Sequence, residues 1–183
     1  MTKEEAVRRI ERNVEENLIE LDLSELALKE VPPEIAKCTH LQWLNLCGNQ
    51  ISEIPEAIGQ LSKLVGLEFV NNQITSIPTT LEKLSNLEEL KLSRNQITEI
   101  PEFMGQLSNL MVISLNDNKI TSIPKELGQL SHLIKLKLNY NQITSIPEEL
   151  GQLSNLTELW VGENPITEIP EAVRQLPKLK IYE

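Results

Sequence analysis

The chain repeats itself with a fixed period. From Asn141 to Leu156 it reads NQITSIPEELGQLSNL, and 23 residues earlier, from Asn118 to Leu133, it reads NKITSIPKELGQLSHL. The first leucine of each unit falls at Leu18, Leu41, Leu64, Leu87, Leu110, Leu133, Leu156 and Leu179, each step being 23 with no insertion. A period of this length means one supersecondary unit per repeat, too small to bury its own apolar face, so that only the stack has a core. The 183 residues divide accordingly into a lead-in at 1–17, seven full repeats over 18–178 and a truncated eighth at 179–183.

Each unit follows LxxLxLxxNxIxxIPxxIGQLxN. In LEELKLSRN, Leu90 and Leu92 alternate with Glu89 and Lys91, the period of a half-buried strand. One such strand per unit, always in the same sense, predicts a parallel ladder with strands ~4.8 Å apart. The asparagine that follows (Asn49, Asn72, Asn95, Asn118, Asn141 and Asn164) can satisfy backbone groups as the chain leaves the strand. The rear segment IPEELGQL places proline at the start of a short helical turn, where its missing N–H would be unpaired anyway. Glycine recurs at 59, 105, 128 and 151, but the same column holds Ala36, Glu82 and Arg174, which speaks against a required positive φ and against a phosphate loop. With 40% hydrophobic but only 3% aromatic residues, the core must be aliphatic.

This pattern resembles the leucine-rich repeat family, in the 23-residue form of intracellular Ras-associated and bacterial proteins, over Leu18 to Glu183. The resemblance implies an α/β solenoid: a right-handed superhelix with a parallel sheet on the concave face and short helical turns on the convex face. It also implies binding of a protein partner through the concave face. The opening, from Met1 to Ile35, is in addition similar to the front of bacterial leucine-rich repeat proteins, among them Roco-type proteins in which the repeats precede a GTPase domain. That would make the chain a regulatory or sensing module, although the sequence contains no phosphate loop.

The two ends are expected to differ. Thr2 and Glu5 fit a capping box opening a helix through roughly Asn13, with Val7, Ile10 and Val14 on the face that covers the first repeat. Leu26 replaces the asparagine in that repeat. The far end, LPKLKIYE, begins an eighth strand without a polar helix to close it, and an open parallel edge could pair with a second copy.

The repeats disagree mainly at the outward positions of the strands. Both tryptophans, Trp43 and Trp160, fall there, as do Asn45, Glu68, Val70, Lys91, Arg94, Lys135, Lys137 and Tyr140. Variation confined to one face of a uniform scaffold is the pattern of a recognition surface, and rigid aromatics are favoured interface anchors. Lys91, Arg94, Lys135 and Lys137 form a basic island suited to an acidic or mixed peptide surface; a merely solvated face is the competing reading of each. Phe103 occupies a rear column of small and acidic residues, where it either covers the next turn or marks a secondary surface.

Chemistry is not expected. His40 and His132 share a column four units apart, hence ~20 Å from each other, too far to share a metal. Cys38 replaces an inward leucine and Cys47 points outward, so no disulfide or zinc site follows. No catalytic, phosphate-binding or metal motif occurs, and no cofactor is implied. The net charge of −10 disfavours nucleic acid and anionic membranes. No apolar run approaches the ~20 residues that span a bilayer. A protein or peptide partner and a cytoplasmic setting are the expectations.

Overall fold

The structure, a computed structural model, describes residues 2–183. A helix, α1 (Thr2–Glu16), leads into eight three-residue strands: β1 (Glu20–Asp22), β2 (Trp43–Asn45), β3 (Gly66–Glu68), β4 (Glu89–Lys91), β5 (Val112–Ser114), β6 (Lys135–Lys137), β7 (Glu158–Trp160) and β8 (Lys180–Tyr182). They form one open parallel sheet in sequence order. Opposite each of the first six strands lies a five-residue 3-10 turn, and opposite β7 a single α-helical turn, α2 (Glu171–Arg174). This is the α/β solenoid that the period implies.

The inward leucines and isoleucines of every repeat meet in one aliphatic core running from Ala6 to Val173. Burying a side chain of this kind contributes ~1.5–3 kcal/mol relative to exposure. The asparagine column holds the repeats in register. Asn118 Nδ2 donates to Leu92 O at 3.1 Å and Leu115 O at 3.0 Å, while its Oδ1 accepts the Ile97 N–H at 3.0 Å. Asn72, Asn95, Asn141 and Asn164 repeat these contacts, so each amide joins its own strand to the one before. Asn49 does the same for the first repeat, where its Oδ1 accepts from both Leu26 and Leu28 and so serves the unit that lacks an asparagine.

The turns refine two expectations. Proline caps them rather than entering them: Pro147 is extended (φ −68°, ψ 138°) and the turn starts at Glu148. Only in the first turn does a proline, Pro33, occupy the first position, after Pro32. The glycines are also more than a convenience. A Cβ on Gly59 would lie 2.5 Å from Thr80 O, and those on Gly105 and Gly128 would collide with the backbone carbonyls of Glu126 and Glu149. Close approach of neighbouring turns, not positive φ, selects glycine there. Where Glu82 replaces it, the facing position of the next turn carries Phe103. Phe103 is 9% exposed and belongs to the core, which corrects the reading of it as a secondary surface and agrees with the alternative that it covers the adjoining turn.

At the front, α1 continues to Glu16, past the expected Asn13. Asn17 (φ 51°) closes it, with Leu18 N donating to Asn13 O and Asn17 N to Val14 O, a Schellman arrangement. The capping contact expected of Thr2 lies outside the described side chains; Glu5, its supposed partner, binds Arg8 and Arg9. The buried face is Ala6, Ile10 and Asn13 rather than Val7, Ile10 and Val14, because the Asn13 amide donates to Leu18 O and Glu20 O and turns its side of the helix inward. Leu18, first of the leucine column, is 41% exposed, since no preceding repeat covers it.

At the far end the period slips. Glu158 pairs with Lys180, Leu159 with Ile181 and Trp160 with Tyr182, an offset of 22 rather than 23. A residue is missing between Leu179 and the strand. Elsewhere two successive N–H groups share one carbonyl, as Thr157 and Glu158 do on Ile134 O, whereas Lys180 binds Thr157 O alone. The slip turns Ile181 inward and Tyr182 outward.

Replacing Asn118 by Ala leaves the Ile97 N–H and the Leu92 and Leu115 carbonyls without their partner, and each such buried group costs ~1–3 kcal/mol. Asn109→Ala, which removes one exposed contact to Ser85 O, should cost under ~1 kcal/mol. Urea unfolding of the two variants checks this; equal losses would show that the ladder does not hold the stack.

Candidate functional site

The outward side chains of β1 to β8 form a continuous strand face, and each candidate residue lies on it or at its corner. Trp43 lies across Gly66 of the next strand, whose missing Cβ makes room for the indole. Beside it is a shallow cleft of about 200 Å³ lined by Glu20, Asp22, Trp43, Asn45 and Glu68. Asn45 Oδ1 accepts the Cys47 N–H at 3.0 Å, and Val70 is half-buried at the end of its strand segment.

The basic island is largely neutralised by its neighbours. Lys91 Nζ lies 2.9 Å from both Glu68 and Glu89. Burial pulls the Lys91 ammonium down, but the two carboxylates outweigh it and hold its pKa above the usual lysine value. Lys135 Nζ pairs with Glu158 at 2.8 Å, which raises the lysine and lowers the carboxylate. Glu158 also accepts the Trp160 indole N–H at 3.0 Å. Arg94 approaches Asp117 at 3.9 Å. Lys137 is the exception: its Nζ lies 5.4 Å from the Trp160 ring centroid, within cation–π range, and no carboxylate pairs with it among the described residues.

Trp160 stacks on Tyr182, with ring centroids 3.8 Å apart and planes 12° from parallel. Tyr182 thus joins the strand face beside Trp160, a neighbour that the sequence did not reveal because a 23-residue spacing points it into the core. Tyr140 is 56% exposed at the corner where each strand ends. That corner is left-handed in every repeat: φ is 57° at Glu25, 67° at Gly48, 59° at Asn71, 58° at Arg94, 54° at Asp117, 56° at Tyr140 and 56° at Glu163. Gly48, Asn71 and Asp117 are the residue types that tolerate this region and were the visible signal; arginine, tyrosine and glutamate carry strain there.

The remaining candidates for chemistry stay apart. His132 Nδ1 lies 3.0 Å from Ser108 O, the place that Asn86, Asn109 and Asn155 take on neighbouring serine carbonyls. Cys38 and Cys47 are free thiols. Burial pushes the Cys47 pKa up to about 11, reinforced by Glu68 and opposed by the Val70 backbone and Lys91. Among the described residues no group of three or more His, Cys, Asp and Glu is placed to hold a metal ion, and no helix is long and apolar enough to cross a membrane.

Two expected outcomes follow from this geometry. Tyr140→Gly relieves a left-handed tyrosine and should raise stability by about 0.5–1 kcal/mol in urea unfolding, despite the added flexibility of the unfolded chain; a loss of stability would mean that the tyrosine ring supports the fold. Cys47 should react with iodoacetamide at pH 8 many times more slowly in the native protein than in urea, because only the thiolate attacks. Equal rates would contradict its raised pKa.

Comparison with known proteins places this geometry in context. A family profile described as a leucine-rich repeat region matches residues 16–119, and a second, described as a leucine rich repeat, matches residues 108–166. No curated protein matches the chain. Among solved structures, a Leptospira interrogans leucine-rich repeat protein is 43% identical (TM-score 0.79) over 84% of this chain and 40% of its own. The Arabidopsis thaliana receptor kinase GASSHO1/SCHENGEN3 ectodomain, solved in complex with Casparian strip integrity factor 2, is 35% identical (TM-score 0.78) over 83% of this chain and 19% of its own. The Arabidopsis receptor kinase HAESA ectodomain, solved with an N-terminally extended IDA peptide hormone ligand, is 34% identical (TM-score 0.75) over 84% of this chain and 27% of its own. The chain therefore spans less than half the length of each of these proteins.

Proposed function

The chain belongs to the leucine-rich repeat family, and from that premise we propose that it is a non-enzymatic scaffold binding a protein or peptide partner on its concave strand face. The observation that carries this reading is the position of the aromatics. Trp43, Trp160 and Tyr182 all lie on the strand face, where an otherwise aliphatic core makes no demand for them. Ring surface held rigidly by stacking loses little conformational freedom on binding. One related ectodomain was solved with a peptide hormone ligand and another with Casparian strip integrity factor 2, which supports the same use of the fold here. The free thiols Cys38 and Cys47 suit a reducing, cytoplasmic setting.

A second reading makes the chain the sensing repeats of a larger Roco-type signalling protein, and it rests on the opening sequence through Ile35. In either setting the outer edge of β8 offers backbone groups that could pair with a second copy. Sedimentation equilibrium separates this use of the edge from strand-face binding: a mass rising to the dimer with concentration favours the edge.

The direct experiment is affinity capture with the wild type beside Trp43→Ala/Lys137→Glu/Trp160→Ala, both checked by circular dichroism. All three side chains lie outside the core, so the variant should retain its fold. A partner held by the wild type and lost by the variant supports the strand face. The same partner on both sinks the assignment.

A further inference from the structure

The charges of the strand face cancel in its middle and survive at its ends. At the front, neither Glu20 nor Asp22 has an ion-pair partner among the described residues; the Asp22 carboxylate accepts the Ser24 backbone N–H at 2.9 Å, and its backbone carbonyl accepts from Arg9 at 3.0 Å. Both line the cleft beside the half-buried indole of Trp43. A carboxylate pair next to an aromatic ring suits a cationic side chain, which gains from both the ion pair and the ring quadrupole. In the middle, Lys91 sits between Glu68 and Glu89, β5 presents Val112 and Ser114, and Lys135 is taken by Glu158. At the rear, Lys137 lies over Trp160, itself stacked on Tyr182, with no carboxylate of its own. Glu158 feels the charge of Lys137 but is bound to Lys135 and to the Trp160 indole N–H.

We propose that the partner crosses the strand face as an extended segment of fixed charge order, with a basic side chain at the Glu20–Asp22–Trp43 end and an acidic side chain at Lys137. This rests on the strand-face reading above and adds the chemistry and direction of what binds there. A segment crossing the strands meets every repeat, whereas one running along a strand would meet a single repeat. From β1 to β6 there are five interstrand steps, ~24 Å in all, which an extended chain covers in about seven residues. The residues between the two charged ones are neutral, because the ion pairs beneath them would have to be broken or desolvated to favour a charge.

Selection from a library of random dodecapeptides tests this directly, with the wild type, Glu20→Lys, Lys137→Glu and Trp43→Ala/Trp160→Ala as baits. Enriched wild-type binders should carry a Lys or Arg and an Asp or Glu about seven residues apart. Those binders should weaken about tenfold on either charge variant, more so at low salt. Fresh selection on Glu20→Lys should lose the basic preference and keep the acidic one, and Lys137→Glu should do the converse. Peptides that need the tryptophans but carry no such spaced pair of opposite charges would overturn this inference and leave the strand-face reading standing. No enrichment on the wild type, or equal binding to the tryptophan variant, would overturn both.

Discussion

The register of this molecule depends on a ladder of asparagine amides, one in each repeat after the first. The side chain of Asn95 reaches the Phe69 carbonyl in the preceding strand, the Leu92 carbonyl in its own and the Ile74 N–H, and its counterparts do the same. Apolar packing alone would let neighbouring repeats slide, since leucine against leucine is indifferent to small shifts. An amide with directed donors and acceptor in a low-dielectric interior is not indifferent, because a slip leaves several polar groups unpaired at once. The ladder thus fixes the register of the sheet, and the sheet register decides which outward side chains become neighbours.

The same geometry creates the strain at the corner. The chain turns left-handed at the residue before each ladder asparagine, and at Glu25 before Leu26 in the first repeat. Glycine or asparagine would meet that requirement without penalty, yet four repeats carry glutamate, arginine or tyrosine there. The cost is of order 1 kcal/mol per residue, offset by the ladder and core on either side. Such outliers are retained where the side chain is of use, and Tyr140 and Arg94 both border the proposed binding face.

Most of the fold was legible because its period is a count, not a propensity. The strands, the parallel order, the asparagine contacts and the aliphatic core all follow from spacing. The failures lie where spacing is broken or where one repeat lacks a neighbour. Leu18 obeys the period but has nothing before it to bury it, and α1 turns Asn13 inward through hydrogen bonds that an apolar pattern does not reveal. Tyr182 went unnoticed as a strand-face residue because the last repeat is one residue short and the 23-residue period would point it inward. Phe103 had two readings in its column of small and acidic residues, and burial decides for the one in which it covers the adjacent turn, where it faces the position at which Glu82 replaces glycine. The ion pairs of the strand face were in plain view, since Glu68 and Lys91, and Lys135 and Glu158, are each 23 residues apart. Summing charge by sign hid them; reading charge by register shows them.

That register has a consequence for recognition. In a parallel stack, side chains of one column lie a strand spacing apart, so opposite charges in adjacent repeats find each other before any partner arrives. A partner that approached Lys91 would have to displace Glu68 and Glu89 or desolvate the whole group, and the gain would be small. Charge left at the ends has no such competitor. A solenoid with a self-neutralised centre therefore discriminates by what lies at two separated points and by the length of chain between them. Its specificity is a distance as much as a set of contacts, and the asparagine ladder is what keeps that distance fixed.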